Sequence, residues 1–261
     1  MENIVAFLFI SAACWKGYRL KLLTASGALA AVVVGMAVFL GFNLSGLVIL
    51  GIFFVTSSYW SKYKSSKKKD LEARLAKGST RDWRQVFANG GTAAAFAVIQ
   101  YYSPDPMWQA AFATAIACAN SDTWASEIGT LSRQQPINIR TFKRVPRGTS
   151  GAVSSLGTLA ALAGALIIAA VSLALFHLTF LYGFAILAFG FAGNLIDTVF
   201  GASIQQSFVC KVCGMETERT IHCHQPTTRL KGYSLFDNDM VNFLSGLLSV
   251  VIMLSFIQLI L

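Results

Sequence analysis

The chain has 261 residues, of which 55% are hydrophobic and 13% charged, and its 21 Lys and Arg against 12 Asp and Glu give a formal charge of +9. Mean hydropathy is +0.59. So little charge excludes an ordinary soluble enzyme and points to a polytopic membrane protein, while the placement of the basic residues argues against a nucleic-acid partner.

Eight apolar segments approach the length that crosses a bilayer: residues 2–15, 22–41, 44–60, 86–102, 107–130, 150–178, 180–204 and 239–261. They predict an all-α transmembrane bundle of about eight spans forming one integral membrane domain. The first segment is short. It lacks the basic start of a signal peptide, and Ser11-Ala12-Ala13-Cys14 lacks the leucine of a lipoprotein box, so it is read as a retained segment. Basic residues fall in alternate connections: three near 15–21, nine in 61–85, five in 131–149 and four in 205–238, with none in the intervening turns. The positive-inside rule then predicts both termini outside and these four connections in the cytosol; the membrane is separately expected to be the plasma membrane of a prokaryote.

The second and third segments carry no ionisable group and read as scaffold. The following run, Lys62-Tyr63-Lys64-Ser65-Ser66-Lys67-Lys68-Lys69, reads as an orienting charge that touches anionic headgroups. Polar side chains then continue into the next span, where Gln85 and Asn89 share a helix face beside Gly90 and Gly91, which suits either helix packing or a ligand. In Asn120-Ser121-Asp122-Thr123-Trp124-Ala125-Ser126-Glu127-Ile128-Gly129, the helical period sets Asn120, Trp124 and Glu127 nearly opposite Asp122, Ser126 and Gly129. Both carboxylates reach one site only if the helix breaks or ends here; otherwise one of them is structural. A carboxylate at mid-membrane costs roughly 2.5–3.5 kcal/mol on insertion scales, so such residues usually line a cavity, a metal site or an ion path.

Arg140 to Ser150 leads basic residues, including Lys143, Arg144 and Arg147, through Gly148 and Thr149 toward a helix start. That is either a phosphate cradle or a basic loop with a hydroxyl cap. Downstream, Gly190, Gly193, Asn194, Asp197 and Gly201 form one stripe, and Asp239 and Asn242 open the last span. With the predicted topology, every polar cluster falls on the cytoplasmic side. An ion path would scatter such groups through the membrane depth, so an interfacial enzyme is favoured. Carboxylates with Mg²⁺, together with basic groups, are the parts phosphoryl or nucleotidyl transfer needs. The loop 205–238 contains Cys210-Lys211-Val212-Cys213 and His222-Cys223-His224, a ligand set for a structural Zn²⁺ through Cys210, Cys213, Cys223 and a histidine such as His222; free thiols are the alternative.

Together, Gln85-Val86-Phe87-Ala88-Asn89-Gly90, Ser121 to Gly129, Arg147-Gly148-Thr149-Ser150-Gly151, Gly193-Asn194 with Asp197 and Gly201, and Asn238-Asp239 with Val241-Asn242 resemble the membrane family that contains phytyl-phosphate kinase and animal transmembrane protein 19. The pattern Asp122-x-x-Ala125-Ser126-x-x-Gly129 is also similar to part of the signature of CTP-dependent phytol and dolichol kinases. The resemblance implies transfer of phosphate from CTP or another nucleoside triphosphate to an isoprenyl monophosphate. On that reading Asp122, Glu127 and Asp197 surround Mg²⁺ as the catalytic acids. Arg81, Gln85, Asn89, Asn120, Lys143, Arg144, Arg147, Gly148, Thr149, Ser150, Asn194, Asp239 and Asn242 bind nucleotide and lipid phosphate. A cytidylyltransferase acting on a lipid phosphate and a lipid or ion transporter are the alternatives.

Overall fold

The computed structural model describes residues 1–63 and 76–260. Most of the basic run 62–69 therefore lies outside the described residues. Seven helices dominate among those described: α1 Glu2–Arg19, α2 Ala25–Lys62, α3 Trp83–Tyr102, α4 Pro106–Gly129, α5 Ser155–Phe176, α6 Phe180–Ser203 and α7 Asn238–Ile260. Four of them, α2, α5, α6 and α7, are long and apolar enough to cross a membrane by length and composition. Helix α2 joins two of the segments expected from sequence. Asn43, at φ 51° and ψ −145°, breaks it between them.

The starts of the helices are set by side chains that satisfy otherwise orphaned N–H groups. Thr24 accepts from Gly27 N at 3.0 Å, Asp105 from Met107 N at 2.7 Å ahead of Pro106, and Ser154 from Gly157 N at 3.1 Å. Asp82 and Gln85 form a reciprocal capping box at α3. The span expected to begin at Ser150 begins instead at Ser155, because Ala152–Val153 is paired with Ile137–Asn138 and Gly151 turns at φ +78° against Ala202.

Helix α4 lies at the centre, touching α2, α3, α5, α6 and α7. Its residues from Ala110 to Ser121 are all buried. Alanine on every face lets five neighbours approach closely, and a helix apolar all round is a buried one. The same alanines, with the polar end 120–127, explain why the most enclosed helix is not among the four most apolar. Phe42 fills the core beside the α2 break, with ring centroids 4.4 Å from Phe112 and 5.4 Å from Phe176. Large side chains such as Leu29, Val33, Leu159, Leu166, Phe184 and Val251 point outward, a surface suited to lipid.

The all-α expectation needs one correction. Two connections fold as small antiparallel sheets: β1 Ile137–Asn138 with β2 Ala152–Val153, then β3 Ser207–Val209 between β4 Glu216–Thr217 and β7 Thr228–Lys231, and the hairpin β5 Ile221–His222 with β6 Gln225–Pro226. Pro136, Pro146, Pro226 and several turn residues stop helix formation there.

Candidate functional site

One end of the bundle opens into a cavity of about 360 Å³. The first turns of α3, α5 and α7 and the last turns of α4 and α6 meet there. They bring Gln85 and Asn89, Ser154 and Gly157, Asp239 and Asn242, Asp122 and Glu127, and Asn194 and Asp197 to one wall or another. The loop before β2 adds Arg147, Gly148, Thr149 and Ser150, and the segment before α3 adds Lys77 and Arg81. Helix α4 runs unbroken through Gly129 and ends at its Thr130 cap. Both of its acids line the cavity because the cavity wraps around that end, so the helix-end alternative is the one realised.

Asp197 accepts from Ser245 Oγ at 3.1 Å. In the amide orientation that satisfies both of its ends, Asn242 also donates to Asp197 Oδ2 at 2.8 Å. Asp122, on the adjacent α4, lines the same cavity as Asp197. The salt bridges found among the described residues go to Asp82, Asp237 and Asp239, and none goes to Asp122 or Asp197. Glu127 lines the same cavity, where its charge acts on that of Arg81. It occupies the last turn of α4, where the helix dipole disfavours an anion, so local helix stability does not select it.

Arg81 is held in place. Its backbone pairs with Thr24 and Leu22 at 2.9 and 3.0 Å, its Nη1 donates to Ser58 Oγ at 3.1 Å, and its guanidinium lies over Phe53 and Phe54. Burial lowers its pKa to about 10 and the Glu127 charge opposes that shift, so it stays cationic at neutral pH. Lys77 bridges Asp239 and Asp82, the latter at 2.8 Å. Burial by itself would lower the Lys77 pKa, but the two acids raise it overall. Burial would raise Asp82; the Lys77 bond and the backbone N–H of Gln85 lower it. A second pair, Arg84 with Asp237 at 2.6 Å, lies beside the first.

Three expected site residues lie elsewhere. Asn120 is fully buried in the core, donating to Gly164 O at 2.8 Å and accepting from Thr56 Oγ1 at 3.2 Å, so it ties α4 to α5 and α2. Lys143 and Arg144 are exposed in the turn that closes onto β1, outside the cavity lining. The short strand pairing turns that segment away. Conversely, sequence reasoning gave no site role to Lys77, Ser154, Gln205 or Glu218. Ser150 Oγ donates to Gln205 Oε1 at 2.9 Å, and Gln205 Nε2 donates to Glu218 Oε1 at 2.8 Å. Burial raises the Glu218 pKa, against the bonds from Ala76 N and Gln205. Only Ser154 left a trace in the sequence, as a hydroxyl three residues before Gly157; the others depend on loop folding.

Outside the cavity, ligand atoms of Cys210, Cys213, His222 and Cys223 lie within 4.8 Å of one another. Among the described residues this is the group of three or more potential metal ligands that converges; Asp122, Glu127 and Asp197 share a cavity without drawing together in that way. Backbone N–H groups, that of Cys213 first, hold the Cys210 thiol down at about 6.

Residues 8–250 match the family model described as integral membrane protein DUF92. The chain is 33% identical to Protein PGR of Arabidopsis thaliana, covering 94% of this chain and 93% of that one. It is 35% identical to an uncharacterized membrane protein of Methanocaldococcus jannaschii, over 64% of this chain and 68% of the other. To the chloroplastic Protein VTE6 of Arabidopsis thaliana it is 25% identical, over 90% of this chain and 66% of the relative. No solved structure matches. The resemblance read from the motifs is borne out at the level of the family, and the chain belongs to the DUF92 integral membrane proteins.

Proposed function

We propose that this protein is a membrane isoprenyl-monophosphate kinase, which moves the terminal phosphate of CTP or another nucleoside triphosphate onto a prenyl phosphate. The observation that carries the reading is the meeting of two carboxylates, Asp122 and Asp197, neither in a salt bridge among the described residues, with Arg81 and the loop Arg147 to Ser150 in one cavity at the end of an apolar bundle. The resemblance to the family that contains phytyl-phosphate kinase supports it.

Asp122 and Asp197 fit a Mg²⁺ ion, which is usually held by one or two carboxylates plus substrate phosphates. When bound, that ion would neutralise charge on the triphosphate. Asn194 and Asn242 orient the acids, and Arg81 with Arg147 and the hydroxyls of Thr149 and Ser150 hold phosphate oxygens. An oxygen of the lipid phosphate attacks the γ-phosphorus, the bond to the nucleoside diphosphate breaks, and prenyl diphosphate leaves. The acceptor oxygen is already ionised, so positioning and charge neutralisation suffice without a strong base. The prenyl tail would lie against the outward apolar faces.

The same reading puts eight spans across the membrane, with α2 crossing twice about Asn43, both termini outside and the cavity in the cytosol. The test is incubation of the purified protein with Mg²⁺, CTP and isoprenyl monophosphates of several lengths. CDP with prenyl diphosphate is expected. Pyrophosphate with a CDP-lipid would overturn the reading in favour of a cytidylyltransferase, and no nucleotide turnover would overturn it in favour of transport.

A further inference from the structure

The segment from β3 to β7 is too small to hold itself together by burial. Val212, Ile221 and Leu230 point outward, while Phe208, Cys210 and Thr217 are among its few buried side chains. Modules with so little core are usually stapled by a metal or by disulfides. All three of its cysteines are free.

Two turns bring the ligands together. At the first, Gly214 N donates to Cys210 O and Cys210 N donates to Met215 O, both at 2.9 Å, with Gly214 at φ +69°. At the second, Cys223 and His224 both adopt positive φ in the two-residue turn between β5 and β6. His222 Nδ1 lies 3.5 Å from Cys213 Sγ and 3.3 Å from Cys223 Sγ. A tetrahedral zinc with sulfur at about 2.3 Å and nitrogen at about 2.0–2.1 Å sets its ligand atoms roughly 3.5–3.8 Å apart, so the separations fit with little adjustment.

We propose that Cys210, Cys213, His222 and Cys223 hold a structural Zn²⁺, and that this ion pins both ends of the arch that carries Glu218 to the cavity rim. Three thiolates and one imidazole make a soft, closed set with no open position for substrate, which suits a structural ion. Between the second and third ligands the chain forms β4 and then reaches Glu218, whose carboxylate accepts from Gln205 Nε2 and from Ala76 N at 2.8 and 3.3 Å. Gln205 in turn accepts from Ser150, so the ion's hold extends to the phosphate loop through two hydrogen bonds. The zinc assignment stands apart from the kinase reading; the consequence for the phosphate loop rests on it.

The test is metal analysis of the full chain, purified in detergent under reducing conditions with no metal added. About one zinc per chain is expected, falling below about 0.1 in Cys223→Ser and His222→Ala and unchanged in His224→Ala. Where a cysteine variant fails to fold, chelation of the wild-type protein serves instead: hydrogen exchange should rise in 207–231 while the amides of α4 and α6 stay protected. Cobalt substitution should give the charge-transfer and visible bands of a tetrahedral thiolate site. Wild-type protein without zinc, iron in its place, or zinc retained by His222→Ala and lost by His224→Ala would overturn the assignment. Chelation that leaves exchange in 207–231 unchanged would overturn the pinning. Each readout is independent of kinase activity.

Discussion

Asp122 and Asp197 differ from Asp82, Asp237 and Asp239, the other aspartates at this end of the molecule, in forming no salt bridge among the described residues. Asn in place of either preserves shape and removes the charge. Asp122→Asn and Asp197→Asn should each lower kcat/KM of the prenyl-phosphate reaction about 100- to 1000-fold, with the detergent melting temperature unchanged. Glu127→Gln should cost about 10-fold or less, because the charge of that carboxylate acts on Arg81. Lys77 offers a pH test. The pKa of Lys77 is raised above the ordinary lysine value and that of Asp82 lowered below the ordinary carboxylate value, so the stability from this pair is fully present between the two ordinary values. It is lost on the acid side as pH falls through the lowered Asp82 value, and on the alkaline side as pH rises through the raised Lys77 value. The Asp82 pair is 30% exposed on both sides, but Asp239 is buried and would keep only Arg84 as a cationic neighbour among the described residues, so Lys77→Met should cost about 1–3 kcal/mol at pH 7. Comparing melts of the two proteins across pH checks it: the difference should shrink toward both limits.

At the scale of elements, the contacts of α4 depend on small residues opposite it. A Cβ on Gly190 would meet Ala117 Cβ at 2.5 Å, and one on Gly193 would meet Cys118 Sγ. Helices this close cannot admit a branched side chain without moving apart, and the cavity acids ride on the same two helices. Gly190→Val should therefore destabilise by about 1–3 kcal/mol and lower activity together with stability. A Cβ at Gly51 meets nothing within 4 Å, so Gly51→Ala should leave the melt unchanged or raise it slightly. The stripe from Gly190 to Gly201 was legible as a packing face from its spacing. Which helix it packs against was not, because several spans carry similar stripes.

For the whole molecule, the cavity residues come from stretches as distant as Lys77 and Asn242, and they meet because the helices alternate in direction. The proposed eight-span topology makes a direct prediction. Alkaline phosphatase fused after residue 260 should be active and a fluorescent protein at that position dark, with the opposite result for fusions in 131–149. A cytosolic C-terminus would remove the proposed orientation.

The sequence by itself determined that the chain is a largely helical membrane protein and that Asp122, Asp197, Asn194 and Asn242 are candidate site residues, because hydropathy and costly polar groups in apolar segments are local signals. Three residues read from it as substrate-binding lie outside the cavity lining for a non-local reason: Lys143 and Arg144 sit in a turn that pairs with β1, and Asn120 bonds between helices in the core. Tertiary structure alone decided that Glu127 joins the cavity, since this depends on α4 ending there. It also brought in Lys77, Gln205 and Glu218, whose places depend on loop and sheet contacts across as many as 162 residues of chain. Such contacts leave no periodicity for a sequence to show.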